Sequence, residues 1–165
     1  MRVTVEPASV ADLAPISALA AFIWHAHYPG IISGEQIEYM LARMYDVEVM
    51  RSELESGIAY DRLLVDGTLR GFCSYGPTSN AGELKVHKLY IHSHCQRQGL
   101  GALLLDHIAE AARKRDFSTL ILAVNKKNNP AVAAYRKHGF TIRESIVADI
   151  GAGFVMDDYV MAKKL

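Results

Sequence analysis

A turn with two glycines is the first place in the chain where residue types and spacing suggest chemistry. It reads Gln96-Arg97-Gln98-Gly99-Leu100-Gly101, follows the apolar segment LYI and precedes a helical pattern that runs to Arg115. Backbone N–H groups at a helix start are free to bind an anion, and the two glycines have no Cβ to keep a ligand away. Arg97 adds a cation. The turn has the features of a phosphate site, although a glycine-rich turn that holds nothing looks the same.

Two familiar nucleotide-binding turns do not fit these residues. A P-loop requires Gly-Lys-Ser/Thr at the helix start, whereas Ala102-Leu103 follows Gly101. A dinucleotide fingerprint requires Gly or Ala three places after Gly101, where the chain has Leu104. A phosphate bound here must therefore belong to another kind of ligand.

A second motif follows about 35 residues later and points to one family. The segment Asn128–Phe140 reads Asn-Asn-Pro-Ala-Val-Ala-Ala-Tyr-Arg-Lys-His-Gly-Phe. It resembles the Asn-x-x-Ala-x-x-x-Tyr-x-x-x-Gly-Phe signature of the GCN5-related N-acetyltransferases (the GNAT family). The glycine turn resembles that family's Gln/Arg-x-x-Gly-x-Gly/Ala turn, and LYI looks like the end of its fourth strand. The resemblance covers residues 83–140 and is compatible with the rest of the chain.

The resemblance implies how acetyl-CoA is held. The amides of the turn would bind the pyrophosphate of coenzyme A, and the fourth strand would pair with the pantetheine arm where it splays from the fifth. Asn128 would point at the cofactor, with Asn129 as N-cap of a helix that has Pro130 at its first position, unless Asn128 serves only the turn. The implied cofactor-binding residues are Leu89, Tyr90, Ile91, Gln96, Arg97, Gln98, Gly99, Leu100, Gly101, Ala102, Asn128 and Tyr135.

The resemblance also implies an acid, and the reaction requires a base. In the family, the phenol at Tyr135 protonates the departing thiolate. An alkylamine of pKa ~10 is mostly protonated at neutral pH, so a group must take its proton before it attacks the thioester. His87, two residues before Leu89 on the same predicted strand face, is the candidate base, and Glu83 is a weaker alternative. An N–H group of the fourth strand, that of Ile91, would stabilise the oxyanion.

Other residues near the predicted site allow several interpretations. Trp24 and Tyr28 belong to an aromatic cluster that either packs in the core or lines an amine pocket. Asp157 and Asp158 either attract a cationic acceptor or form a solvated pair. The His25/His27 and His92/His94 pairs are interpreted as loop or surface residues, and Cys95 as a bystander, so no metal site is predicted.

The elements that must position these residues follow from the hydrophobic pattern. Two N-terminal helices, with capping signals at Ser9 and Ser33, precede two strand-like runs joined by Asp66-Gly67, a hairpin signal. Strand, helix, strand, helix and a closing hairpin around residues 151–153 complete the order. The prediction is an α/β (α+β) fold with a mixed, mostly antiparallel sheet, splayed between strands 4 and 5, with helices on both faces: the acyl-CoA N-acyltransferase fold.

Length and composition exclude some function classes. At 165 residues, the chain is expected to form a single domain, 1–165, with residues 1–57 on the acceptor side and 83–140 as the acetyl-CoA-binding core. A formal net charge of zero argues against nucleic-acid and membrane-surface binding. No signal peptide is apparent, and two cysteines form no disulfide framework, so a cytoplasmic location is expected.

These observations together predict an enzyme. It would transfer acetyl from acetyl-CoA to a primary amine by direct attack, with a small acceptor such as a polyamine, and would act as a monomer or homodimer without a metal. The alternatives are acetylation of a protein N-terminus or lysine, and a non-catalytic acyl-CoA sensor.

Overall fold

The computed structural model describes residues 1–165 and contains seven strands and five helices, with short 3-10 turns at Val10–Asp12 and Ser93–Cys95. The helices are α1 (Leu13–His27), α2 (Gly34–Tyr45), α3 (Val47–Glu55), α4 (Leu100–Lys114) and α5 (Asn129–Lys137). The strands are β1 (Val3–Pro7), β2 (Ala59–Val65), β3 (Thr68–Pro77), β4 (Glu83–Ile91), β5 (Thr119–Asn125), β6 (Thr141–Gly151) and β7 (Phe154–Lys164).

All seven strands form one sheet in the order β1-β2-β3-β4-β5-β7-β6. Only β4 and β5 run parallel, and every other neighbouring pair is antiparallel. The predicted hairpin between β2 and β3 is confirmed: Asp66 and Gly67 have φ values of 50° and 80°, as a type I′ turn requires. The fold is therefore the predicted mixed, mostly antiparallel α/β sheet.

Helices cover both faces of this sheet and enclose two apolar clusters. On one face, α4 contributes Leu104, Ile108 and Ala112 to a cluster that also contains Phe140. On the other face, α1, α2 and α3 contribute a second cluster, in which Trp24 packs among Tyr28 and other aromatic side chains. Burial of these two clusters fixes the helices against the sheet and so fixes the loops that join them.

The predicted splay between β4 and β5 is present. The two strands pair only from Glu83–Val86 against Thr119–Leu122, after which β4 continues along β3 alone and β5 along β7 alone. The gap begins at His87 and opens toward the glycine turn that follows β4. It leaves one edge of each strand without a strand partner.

Some local expectations needed correction. The sequence predicts two N-terminal helices but the structure has three, because Asp46 leaves the helical conformation and its side chain caps a separate helix, α3. Ser33 caps α2 as expected by accepting from Gln36 N. The side chain of Gln36, however, donates to the carbonyl of Val155 and does not complete a capping box.

Candidate active site

The glycine turn presents a row of free backbone amides. None of the N–H groups of residues 96–102 donates to a protein acceptor; the first helical bond of α4 is from Leu103 N to Gly99 O. Gly99 is the N-cap residue with φ 76°, and Arg97 has φ 62°, so consecutive amides turn toward one side. A Cβ added at Gly99 or Gly101 meets nothing within 4 Å, which leaves open space for a ligand. The turn fits an anion such as a diphosphate.

The exposed edge of β4 presents backbone groups to the gap. His92 N donates to Arg70 O on β3, so the backbone of Ile91, one residue earlier, points the other way, toward the splay. The carbonyl of Ile91 there accepts a bond from Gln96 Nε2 at 3.4 Å. By the same alternation, Leu89 also faces the gap. These two residues can therefore pair with an extended arm as an added strand would.

One large cavity connects the turn, the splay and the aromatic cluster of α1. Its volume is about 1220 Å³. It is lined by every predicted site residue except Gln98 and the weaker base candidate Glu83, namely Trp24, Tyr28, His87, Leu89, Tyr90, Ile91, Gln96, Arg97, Gly99, Leu100, Gly101, Ala102, Asn128 and Tyr135. The fold thus brings together residues that lie more than 100 positions apart in the chain.

Tyr135 lies on α5 with its phenol in this cavity. Its ring packs edge-on against Phe140, with centroids 5.8 Å apart, and its hydroxyl makes no hydrogen bond to another protein group. Burial raises the pKa of Tyr135, and the neighbouring Tyr28 raises it further. The phenol is therefore fully protonated at neutral pH and free to donate its proton to a ligand.

His87 lies at a β-bulge, which the sequence did not reveal. Tyr75 pairs with Val86 and Ser74 with Lys88, so His87 has no partner on β3. The bulge interrupts the strict alternation of side chains along β4, so period-two spacing from Leu89 does not by itself fix the direction of the His87 side chain. Its Nε2 is buried without a hydrogen-bond partner, and burial, with Lys85, lowers its pKa. The imidazole is neutral at neutral pH.

Glu83 does not reach the cavity. It lies at the start of β4, where its carboxylate accepts from Arg143 Nη1 at 2.9 Å and from Thr78 Oγ1 at 3.0 Å. Burial acts to raise its pKa, but these hydrogen bonds outweigh burial and the net pKa is lowered. Glu83 is a structural partner of Arg143 in this fold, and the weaker base assignment was wrong.

Asn128 is buried at the start of α5 and contacts α1. The structure makes Asn128 the N-cap and Asn129 the first helical residue, one position earlier than expected. Its side chain makes no capping bond; instead its Oδ1 lies 3.0 Å from His27 Nε2. His27, interpreted from the sequence as a loop or surface residue, is the last residue of α1 and is half-buried, and this contact ties α1 to α5 across the cavity.

The aromatic cluster of α1 forms a wall of the cavity and packs in the core at the same time. Trp24 and Tyr28 are buried, with ring centroids 4.3 Å apart. Tyr28 and Tyr90 share a hydrogen bond between their hydroxyls, 2.9 Å apart. Burial raises the pKa of both phenols, so both are neutral polar groups facing the cavity.

The two adjacent acids of β7 have different environments. Asp157 is exposed and pairs with Lys126 Nζ at 2.6 Å. Asp158 is only 3% exposed, lines the cavity, and makes neither a hydrogen bond nor a salt bridge. Burial raises its pKa to about 6, and the charge of Asp157 adds to this effect. The interpretation of both acids as a solvated pair was wrong for Asp158.

A buried ion pair lies beside His87 and was not anticipated. Lys88, 3% exposed, donates to Glu53 Oε1 at 2.9 Å and to the Tyr60 hydroxyl at 2.7 Å. Its ammonium also lies over the ring of Tyr45, 5.0 Å from the centroid. Burial lowers the pKa of Lys88 and Glu53 opposes that effect. Since Glu53 already has two donors, its charge is compensated.

Helix α2 packs against the β6–β7 hairpin at one end of the cavity. Gln36 Nε2 donates to Val155 O at 2.9 Å, and the side chains of Tyr39 and Arg43 donate to the carbonyl of Ile150. Met40, Met44 and Met156 line the cavity beneath this contact. The three methionines give this end of the cavity flexible apolar side chains.

Most of the other histidines have hydrogen-bond partners within the protein. His25 is bonded to Glu38 on the surface, whereas His92 is buried and caps the 3-10 turn by accepting from His94 N. His92 lies in the loop after β4, in agreement with the prediction of a loop or surface residue, but its side chain is buried. The structure contains no cluster of three or more His, Cys, Asp or Glu side chains arranged to hold a metal ion. No helix combines the length and apolar composition needed to cross a membrane.

Comparison with known proteins gives consistent results. The sequence profile of the acetyltransferase (GNAT) family matches residues 22–140. The chain is 33% identical over 75 residues to streptothricin acetyltransferase from Streptomyces lavendulae, spanning 46% of this chain and 40% of that protein. It is 38% identical over 66 residues to the [ribosomal protein bS18]-alanine N-acetyltransferase of Escherichia coli K12, spanning 38% of this chain and 45% of that protein. The chain thus spans less than half the length of each of these relatives.

A solved structure has the same fold over the whole chain. The PaiA N-acetyltransferase from Thermoplasma acidophilum, determined in complex with coenzyme A, superimposes with a TM-score of 0.85 at 24% identity, and the match covers 100% of both chains. The family profile covers well over half of the sequence, including the glycine turn, the splayed strands and Tyr135. This chain belongs to the GNAT family of acetyltransferases.

Proposed function

We propose that the protein transfers an acetyl group from acetyl-CoA to the primary amine of a small molecule by direct attack. The observation that carries this proposal is the single cavity in which the free amides of the glycine turn, the unpaired edge of β4 and the Tyr135 phenol meet. Acetyl-CoA supplies the activated acetyl thioester. The residues of the chain bind it, orient it and move protons.

The turn and the gap supply the binding groups. The amides of residues 98–102 bind the diphosphate, with Arg97 beside them. Leu89 and Ile91 offer backbone groups to the pantetheine amides, and the Ile91 N–H stabilises negative charge on the thioester oxygen. These roles use backbone atoms, so the side chains at Leu89 and Ile91 serve mainly to pack β4 against α4.

Two side chains move protons in this scheme. Tyr135 donates its phenolic proton to the leaving sulfur, and the burial that raises its pKa also favours protonation of the thiolate. His87, neutral and with a free Nε2, takes a proton from the attacking nitrogen after the new bond forms. The proton then returns from the imidazolium to the phenolate through solvent in the cavity.

The proposal is tested by measuring thiol release from acetyl-CoA across a panel of amines, with the acetylated product identified by mass spectrometry. Tyr135→Phe should lower kcat about 100- to 1000-fold, because it removes the acid while leaving the ring packed on Phe140. Tyr159→Phe, a partly buried tyrosine outside the cavity, is the matched control and should retain activity.

The competing functions give different results. Coenzyme A binding without turnover of any amine would contradict the enzyme and support a sensor. Acetylation of peptides alone would contradict the small-molecule acceptor and support a protein acetyltransferase. Equal kcat for the wild type and Tyr135→Phe would contradict the assignment of the acid.

A further inference from the structure

The buried carboxylate of Asp158 has no partner in the protein. Of the two acids that line the cavity, Glu53 already accepts hydrogen bonds from Lys88 and Tyr60, whereas Asp158 accepts none. An isolated buried carboxylate is costly, and proteins rarely keep one without a function. The cavity therefore contains one uncompensated negative charge.

Asp158 lies beside the gap between β4 and β5. It pairs with Asn125, the last residue of β5, and both residues line the cavity. Met156, two residues earlier on the same face of β7, packs against the apolar cluster of α1, α2 and α3. Asp158 therefore faces the side of the sheet that these helices cover.

The groups around Asp158 leave room for a cation. Lys85 on β4 and Lys126 act on it only through space and lower its pKa, while Asp157 raises it. Tyr28, the residue that follows α1, is another titratable neighbour; burial raises its pKa, and the Asp158 charge adds to this effect. None of these groups is bonded to the carboxylate, and Asp157 is held by Lys126 on the outside of β7.

We infer that Asp158 binds the ammonium group of the acceptor and takes its first proton. The inference rests on the proposed acetyl transfer. One N–H bond of the ammonium breaks and an O–H bond forms on the carboxylate, which leaves a neutral amine with a free electron pair for attack. The proton on Asp158 passes to solvent when the product leaves, so the carboxylate is restored for the next cycle.

The same observations define the class of acceptor. The cavity offers a single uncompensated carboxylate, and more than half of the residues that line it are hydrophobic, among them Trp24, Tyr28, Met40, Met44 and Met156. An ammonium group on an otherwise uncharged, apolar body satisfies both features. A polyamine such as spermidine would bring further charges that find no free carboxylate in the cavity. The structure therefore favours an apolar monoamine over the polyamine expected from the sequence.

Binding to the protein–coenzyme A complex tests the site without turnover. Calorimetry compares phenethylamine with its uncharged counterpart 2-phenylethanol, on the wild type, Asp158→Asn and the control Asp157→Asn. The wild type and Asp157→Asn should prefer the amine by about tenfold or more, and Asp158→Asn should lose that preference. Coenzyme A affinity, measured on the same samples, should be unchanged and so reports an intact fold. Equal binding of the amine and the alcohol by the wild type would overturn the inference, as would tighter binding of spermidine than of phenethylamine.

Turnover separates a charge-dependent role from a structural one. Asp158→Asn should lower kcat/KM about 100-fold for ethylamine, which is charged at neutral pH, and far less for trifluoroethylamine, which is uncharged. An equal loss for both amines would overturn the inference. If the amines bind in an Asp158-dependent manner but none is acetylated, the proposed activity fails and the ammonium site stands. If amines are acetylated and Asp158→Asn keeps full activity, the ammonium site fails and the activity stands.

Discussion

The burial of Asp158 makes a quantitative prediction about stability. In the folded protein its pKa is raised from the ordinary 3.8 to about 6. The folded state therefore binds the proton more strongly than the unfolded state, and the stability that protonation provides is present at low pH and lost as the pH rises from about 4 to above 6. The difference between the two pKa values corresponds to about 3 kcal/mol of unfolding free energy, of which about 2 kcal/mol is lost above pH 4.5.

Urea denaturation of the wild type and Asp158→Asn, at intervals between pH 4.5 and 8, measures this loss. The free energy of unfolding of the wild type should fall by about 2 kcal/mol relative to the variant over this range, because the amide that replaces the carboxylate in the variant cannot ionise. Other titrating groups are shared by both proteins and cancel in the comparison. The Asp157→Asn control keeps the buried carboxylate, so most of the pH dependence should persist.

Two results would refute this reasoning. If the difference in unfolding free energy between the wild type and Asp158→Asn does not change with pH, then ionising the carboxylate costs the folded protein no stability. A difference that changes in the opposite direction would mean that an unrecognised cation stabilises it. If the prediction holds, Asp158→Asn gains stability as it loses amine recognition, as expected when a functional charge is held at the expense of stability.

Three further predictions test other parts of the site. Gly101→Val should weaken coenzyme A binding about tenfold by filling the open space beside the turn amides. The control Gly34→Val, at the start of α2 with equally open space, should leave coenzyme A binding unchanged. Equal affinities of the two variants in calorimetry would contradict the turn as the binding site. Glu53→Gln should lower the free energy of unfolding by about 3–5 kcal/mol because it leaves the Lys88 charge buried without a partner. This loss should diminish at alkaline pH as Lys88 deprotonates. Lys88→Met should lower the free energy of unfolding by less in the same urea titration, since water can solvate the Glu53 carboxylate. His87→Gln should lower kcat about tenfold or more with unchanged coenzyme A affinity, and an unchanged kcat would exclude His87 as a proton acceptor.

Features set by local sequence could be predicted. The glycine turn, the Asp66-Gly67 hairpin and the Ser33 cap each depend on residues within a few positions of one another, so the residue types alone indicate the conformation. The order of elements from β2 onward and the splay between β4 and β5 were also predicted, the splay through resemblance to a family. Their positions differ from expectation by a residue or two at helix ends, as at Asn128.

Features set by non-local pairing could not be predicted. The pairing of β3 and β4 changes register at His87 and forms a bulge there, and no residue type in β4 predicts this change. The burial of Asp158 depends on its register with Asn125, and the contact of His27 with Asn128 joins residues 101 positions apart. Lys88 and Glu53 meet only because α3 packs over the sheet. In each case a polar residue that looks solvent-exposed in the sequence is buried by a strand or helix distant in the chain.

A crystal structure of the protein with coenzyme A and phenethylamine would locate the diphosphate, the sulfur and the ammonium group in one experiment. We expect the diphosphate on the amides of residues 98–102, the sulfur within hydrogen-bonding distance of the Tyr135 hydroxyl, and the ammonium on the Asp158 carboxylate. A diphosphate bound away from the glycine turn, or a sulfur beyond reach of Tyr135, would contradict the proposed active site.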